Sequence, residues 1–211
     1  MSIIRILSVD DHPILRQGLA AIIANEADME LVAEASNGRE AIDQFRLVRP
    51  DIVLIDVQMP VMEGIEAIMA VRAEFPSARF IVLTTYAGDA LARRALQAGA
   101  YGYVLKGLLR KDLLTTIRAA YRGVKTIDQE VANQIAGHTA DDVLSDREVD
   151  VLKLIAGGNS NKRVAAHLAI TEETVKGHVK NILGKLGAHD RTHAVTLALT
   201  RGILPFPRGT E

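Results

Sequence analysis

The stretch Ile52-Val53-Leu54-Ile55-Asp56-Val57-Gln58-Met59-Pro60 decides the reading of this 211-residue chain. Four β-branched or branched apolar residues in succession form a run of strand length, with no polar position to mark a solvent-facing side. Such a strand is buried on both faces. A carboxylate follows it at once, and Pro60 then bars any continuation of regular pairing.

Four further runs of the same kind lie around it, at Ile3 to Val9, Leu31 to Ala35, Phe80 to Leu83 and Tyr101 to Leu105. Between and after them, amphipathic stretches of helical length fall at about 13 to 25, 39 to 48, 64 to 75, 89 to 98 and 111 to 122. Parallel neighbours need crossover connections, and helices then cover both sheet faces. The expected fold is therefore a doubly wound α/β domain on a five-stranded parallel sheet.

After Arg122 the composition turns small and polar. Residues 123–143 read as a linker, with a candidate short helix from Asp128 to Ala136 that Gly137 would end. From Leu144 onward the pattern is wholly helical. Ser145-Asp146-Arg147-Glu148 has the form of a capping box, opening a helix with Val149, Leu152 and Ile155 on its apolar face. A short helix is expected at about Lys162 to Leu168, a longer one from Glu172 to about Leu186 capped by Thr171, and a last one over Arg191 to Arg201. A short helix, a tight turn and an amphipathic helix make a helix-turn-helix arrangement.

Composition narrows the chemistry. The chain has no cysteine, which excludes thiolate metal sites and catalytic thiols. No apolar stretch of membrane-spanning length and no secretory leader is present, so a cytoplasmic protein without a membrane role is expected. The net charge of -1 is unevenly divided: residues 145 to 211 hold ten Lys or Arg against seven Asp or Glu, leaving fifteen against nineteen elsewhere. A mildly basic half beside an acidic half suggests different partners for the two.

Ligand chemistry in an open α/β sheet gathers at the carboxyl ends of the strands. Asp10 and Asp11 end the first strand, Asp56 the third, Thr84 and Thr85 the fourth, and Lys106 the fifth. Three carboxylates in one crevice repel one another unless a cation intervenes, and hard oxygen ligands suit Mg²⁺. A lysine and a threonine hydroxyl beside them suit phosphoryl oxygens, with Asp56 as the nucleophile that becomes an aspartyl phosphate. His12 reads as a polar residue at a loop-to-helix junction, and the other five histidines show no metal-ligand spacing.

The segments Val9-Asp10-Asp11-His12-Pro13, Leu54 to Pro60, Leu83-Thr84-Thr85-Tyr86 and Gly102-Tyr103-Val104-Leu105-Lys106 resemble those of response-regulator receiver domains, over residues 1–122. The resemblance implies that a histidine kinase phosphorylates Asp56, and that Asp11, Asp56 and the carbonyl of Gln58 ligate Mg²⁺ while Asp10 supports it through water. It further implies that Thr84 and Lys106 contact the phosphoryl group and that Tyr103 is an aromatic switch, although Tyr103 reads equally as a half-buried strand aromatic. The segment Met62-Glu63-Gly64 carries Glu where this family more often has Asp.

In residues 144–211, Leu144 to Glu148, Ser160-Asn161-Lys162, Thr174-Val175-Lys176-Gly177-His178-Val179 and Lys185-Leu186-Gly187 resemble the LuxR-type effector domain of the NarL/FixJ group of response regulators. Arg163 stands where an acidic residue is common. Val175, Val179, Ile182, Leu183 and Leu186 share the core face of their helix, while Gly177, Lys180, Asn181 and Gly184 point away. The resemblance implies DNA contacts from Lys176, Gly177 and Lys180, with Thr174, His178 and Asn181 as further backbone contacts. Two mid-helix glycines cost about 1 kcal/mol each relative to alanine and ask for a reason.

The function expected is that of a phosphorylation-controlled, DNA-binding transcriptional regulator, not an enzyme, dimerising on promoter half-sites when phosphorylated. The alternatives are a receiver-like sensor that is never phosphorylated and, further off, an aspartyl-phosphate phosphatase. The final helix, with Ala194, Val195, Leu197 and Ala198, is either packed inward or a dimer seam.

Overall fold

The computed structural model describes residues 3–84, 89–106, 109–127 and 143–204, which form two compact units. The candidate helix at Asp128 to Ala136, and Thr85 and Tyr86, lie outside the described residues.

The first unit alternates strands and helices: β1 Ile4–Val9, α1 Pro13–Ala24, β2 Met29–Ala35, α2 Gly38–Val48, β3 Ile52–Asp56, α3 Gly64–Glu74, β4 Phe80–Thr84, α4 Asp89–Gln97, β5 Gly102–Leu105, α5 Leu109–Tyr121 and β6 Thr126–Ile127. The sheet is parallel throughout, in the order β2-β1-β3-β4-β5-β6. The five expected strands are all present. The sixth is a two-residue edge, pairing Thr126 and Ile127 with Gly102 and Tyr103, inside the stretch read from sequence as linker. So short a strand leaves no periodicity to read.

Ile52, Leu54, Ile81 and Leu83 point to one side of the sheet, into a core shared with Leu19 and Ile23 of α1 and Leu113 and Ile117 of α5. The alternating residues Val53, Ile55 and Val82 are as fully buried, so by the two-residue period they fill the opposite side. Arg118 of α5 reaches back to Glu26 and Asp28 in the α1–β2 turn, with bonds of 2.7 Å to each carboxylate.

From β1 the chain moves one way to β2 and then crosses to the other side for β3. The reversal opens a crevice above the carboxyl ends of β1 and β3. Asp10 and Asp56 flank it.

The second unit holds four helices: α6 Asp146–Ala156, α7 Asn161–Leu168, α8 Glu172–Leu186 and α9 Arg191–Thr200. Each begins on a side chain that accepts an orphan backbone N–H: Ser145 from Glu148, Ser160 from Arg163, Thr171 from Thr174 and Asp190 from His193. The Ser145–Glu148 capping box is complete. Val151, Leu152 and Ile155 meet Val164, Val175, Ile182, Leu186, Ala194 and Ala198 in one core. Ala194 and Ala198 are therefore packed inward. Among the described residues no helix is long and apolar enough to cross a membrane.

Candidate functional site

The crevice is assembled from strand ends because each strand delivers its last side chain to the same edge. Asp10 follows β1, its backbone N–H bonded to the carbonyl of Ala35 at 3.1 Å. Asp56 closes β3, Thr84 closes β4, and Lys106 follows β5. Asp10, Asp56 and Thr84 are all buried. Gly64 clamps the loop after β3: its N–H donates to the carbonyl of Val57 at 2.9 Å, and a Cβ there would lie 2.0 Å from the carbonyl oxygen of Asp56. Only glycine allows that approach.

Lys106 links the two buried acids. Its Nζ lies 2.7 Å from Asp10 Oδ2 and 2.9 Å from Asp56 Oδ2. Asp10 Oδ2 is thus a buried oxygen whose partner is the Lys106 ammonium. Among the described residues, Asp56 Oδ1 takes only a long bond from the Gln58 N–H, at 3.4 Å.

Burial raises the carboxyl of Asp56 above the ordinary aspartate range, with Lys106 opposing the shift and the charge of Asp10 adding to it. Burial pulls the Lys106 ammonium down, but Asp56 and Asp10 together outweigh it and leave the net shift upward. Two acids share one lysine, and a second cation would relieve the remaining repulsion.

The carboxylates of Asp10, Asp11 and Asp56 offer oxygens within 4.8 Å of one another, and so does the ring of His12. His12 Nδ1 stands 2.9 Å from Asp11 Oδ1 and 3.2 Å from Asp10 Oδ1, while its backbone N–H donates to Asp10 Oδ1 at 2.9 Å. The sequence reading gave His12 no part in the site. The signal that could have found it is adjacency to two acids at a strand end. This is an acidic pocket of the kind in which receiver domains bind Mg²⁺, and three carboxylates with oxygens within 4.8 Å of one another fit a hard divalent ion.

Tyr103 is 2% exposed and shares a hydrogen bond with Thr84; burial pushes its phenol far up, against that bond. The ring is thus already inside the unit, next to a strand-end hydroxyl. Arg16, which sequence reasoning passed over, donates from Nη1 to the Asp10 carbonyl at 2.6 Å.

On α8, Val175, Ile182 and Leu186 are buried, whereas Thr174, Lys176, Gly177, Lys180 and Asn181 are exposed and His178 is half-buried. The expected division of faces holds. Thr174 also serves the cap, its Oγ1 lying 2.8 Å from that of Thr171, and Lys176 Nζ is 3.1 Å from Glu173 Oε2. A Cβ at Gly177 or Gly184 would meet nothing within 4 Å. Packing inside the chain does not require either glycine.

Comparison with known proteins agrees with both units. The model of the response regulator receiver domain matches residues 6–118, and that of the bacterial regulatory proteins of the luxR family matches residues 142–198. The chain is 35% identical over 206 residues to the response regulator protein VraR of Staphylococcus aureus, covering 95% of this chain and 99% of that one. It is similar to the crystal structure of ChrA, the response regulator of a heme-sensing two-component system, at 35% identity and a TM-score of 0.57, covering 97% and 100% of the two chains. The two-component response regulator RcsB, solved as a complex with DNA, matches at 25% identity and a TM-score of 0.70, covering 94% of this chain and 99% of that one.

Proposed function

Because the chain belongs to the two-component response regulators, with a receiver domain joined to a LuxR-type DNA-binding domain, we propose that a sensor histidine kinase phosphorylates it on Asp56 and that this controls its binding to promoter DNA. The observation that carries the proposal is the pairing of Lys106 with Asp10 and Asp56 at 2.7 and 2.9 Å in a buried crevice. A carboxylate so placed has one cation fixed against it.

In this reading an Asp56 oxygen attacks the phosphorus of the kinase's phosphohistidine. The new O–P bond forms as the P–N bond breaks, and the imidazole keeps the electron pair. Lys106 stays against the phosphoryl oxygens and Thr84 donates its hydroxyl to another. Asp10, Asp11, Asp56 and the Gln58 carbonyl would hold Mg²⁺, which when bound neutralises charge on the transferred group.

A phosphoryl group adds nearly two negative charges at Asp56. If Thr84 turns to meet it, the Thr84–Tyr103 hydrogen bond is remade, and Tyr103 carries the change toward the surface of α4 and β5. The proposed consequence is homodimerisation, which places two copies of α8 on paired half-sites in the cytoplasm.

Lys176, Gly177 and Lys180 of α8 would face bases or backbone, with Thr174, His178 and Asn181 contacting the backbone. For Lys176 this requires release from Glu173. The division of labour follows the two units: residues 1–122 with the β6 edge as receiver, a linker beyond it to 143, and 144–211 as the DNA reader.

The test is intact-protein mass after incubation with acetyl phosphate and Mg²⁺, followed by DNA binding of the same samples. One phosphoryl adduct, absent from Asp56→Asn, with tighter DNA binding only in the modified protein, is expected. An unmodified protein that binds DNA with full affinity would replace the proposal with a phosphorylation-independent sensor.

A further inference from the structure

His12 is the one member of the acidic pocket that an oxygen-ligated Mg²⁺ site does not call for. Its place is fixed from three directions. Pro13 holds the preceding residue to extended backbone, and His12 has φ -90° and ψ 109°. The backbone N–H is bonded to Asp10 Oδ1. The ring stands between two carboxylates, with Nδ1 at 2.9 Å from Asp11 Oδ1 and 3.2 Å from Asp10 Oδ1.

Those separations have a meaning for coordination. Ligands bonded at about 2.1 Å and set at right angles around an ion lie ~3 Å apart. The Nδ1 and the two oxygens are spaced like neighbouring corners of one coordination shell.

One oxygen each from Asp10, Asp11 and Asp56 lies within 4.8 Å of a ring nitrogen, so the pocket offers a cation more than the ring alone. The side chain of His12 is 69% exposed, which leaves it open to an ion arriving from solvent. Imidazole nitrogen is a poor ligand for Mg²⁺ and a good one for Ni²⁺ and Zn²⁺.

We propose that His12 contributes Nδ1 as a nitrogen ligand in the Asp10–Asp11–Asp56 pocket, so that the site takes nitrogen-seeking divalent ions such as Ni²⁺ in addition to Mg²⁺. The inference rests on the pocket being a cation site, as the proposed function holds, and adds which class of ion it selects. In the competing account Nδ1–H only donates a hydrogen bond to the carboxylates. Removing the ring would then change the pocket equally for every ion.

The experiment is calorimetric titration of the full chain with Mg²⁺ and, separately, with Ni²⁺, for the wild type, His12→Ala and Asp11→Asn. Mn²⁺-loaded samples give a second readout, the nitrogen modulation of the electron spin echo. We expect His12→Ala to weaken Ni²⁺ at the Asp11-dependent site by about ten-fold or more relative to any change in Mg²⁺ affinity, and to abolish the nitrogen modulation.

Parallel changes for Mg²⁺ and Ni²⁺, or an unaltered nitrogen signal, would overturn the assignment of His12 while leaving the Mg²⁺ site intact. Absence of Asp11-dependent Mg²⁺ binding in the wild type would instead overturn the cation site itself. Because His12 makes no side-chain cap bond to α1, loss of its ring removes no helix cap.

Discussion

Each unit buries acid beside one lysine, a single carboxylate in the helical unit and two in the α/β unit, and the two arrangements are satisfied to different degrees. Glu148 at the start of α6 takes Lys185 Nζ at 2.7 Å, the Ser145 N–H at 2.7 Å and the Ser145 hydroxyl at 3.0 Å. Asp56 takes Lys106 at 2.9 Å, shares that lysine with Asp10, and among the described residues has only the long Gln58 bond besides. The resulting shifts have opposite signs. Burial pushes the Glu148 carboxyl up, but Lys185 and the Ser145 donors overcome it and hold the group below the usual glutamate range. Burial wins at Asp56, which rises.

The difference separates a clasp from a reactive site. Glu148 joins the head of α6 to the tail of α8, and Lys185 also bonds the Val143 carbonyl at 3.1 Å. Three donors converge there on Glu148 Oε2. At Asp56 the accounts are left open, and a cation or a phosphoryl group with its metal can close them.

The largest test of this contrast is Glu148→Ala. It leaves the Ser145 N–H without its acceptor and Lys185 with the Val143 carbonyl alone, and breaking a buried pair in this way costs several kcal/mol. Because the Lys185 side chain is 30% exposed and can turn to water, we expect a loss of about 2–3 kcal/mol.

The probe is a pair of urea denaturation curves. The chain has no tryptophan, and three of its four tyrosines, Tyr101, Tyr103 and Tyr121, lie in the α/β unit, so tyrosine emission is weighted to that unit while far-ultraviolet circular dichroism follows both. The dichroism midpoint should fall further than the tyrosine midpoint. Equal movement of the two would break the comparison.

The opposite sign is expected for Asp56→Asn. Replacing a buried, poorly satisfied charge with a neutral isostere should raise the tyrosine midpoint by about 1–2 kcal/mol equivalent, while abolishing phosphorylation. A destabilised variant would show that Asp56 is as well satisfied as Glu148.

Acidity sharpens the same contrast. For Glu148 the folded value lies below the unfolded one, so its contribution is present above about 4.5 and fades as pH falls through the folded value. For Asp56 the folded value lies above 3.8, so its favourable contribution exists at low pH and is lost as pH rises through the folded value. The stability gap between wild type and Asp56→Asn should therefore close on acidification. A gap that widened would contradict the direction of the shift.

The satisfied and unsatisfied acids differed in how readable they were. The capping box around Glu148 is a local pattern, four residues long, and its form is plain in Ser145 to Glu148. Its lysine is not, because Lys185 lies thirty-seven positions away and nothing in the chain pairs it with Glu148. At the crevice the strand ends were legible since buried parallel strands stop abruptly at Asp10, Asp56 and Thr84.

What pattern could not supply was geometry among neighbours: that His12 turns back onto two acids, that Arg16 bonds the Asp10 carbonyl, and that Tyr103 already lies against Thr84. The two-residue β6 failed for a simpler reason, as Thr126–Ile127 is too short to show an alternation. The α2 and α7 starts moved by one residue, to Gly38 and Asn161, because Asn37 and Ser160 are the caps.

The smallest expected effect decides whether the contrast is between two units or between structure and function inside each. Gly177 is helical, exposed and surrounded by open space, so Gly177→Ala should stabilise α8 by about 0.5–1 kcal/mol. Folding gains nothing from the glycine. If α8 lies in the major groove, the added methyl meets DNA, and affinity should fall while stability rises. Gly184 is as open and lies on the same face two turns further along, so Gly184→Ala repeats the gain in stability and reads how far along the helix the interface extends. A rise in stability with unchanged DNA affinity would place Gly177 outside the interface and turn attention to Lys180 and Asn181. A rise in one with a fall in the other would give the helical unit its own counterpart of Asp56, a position kept below its most stable form where the partner must fit.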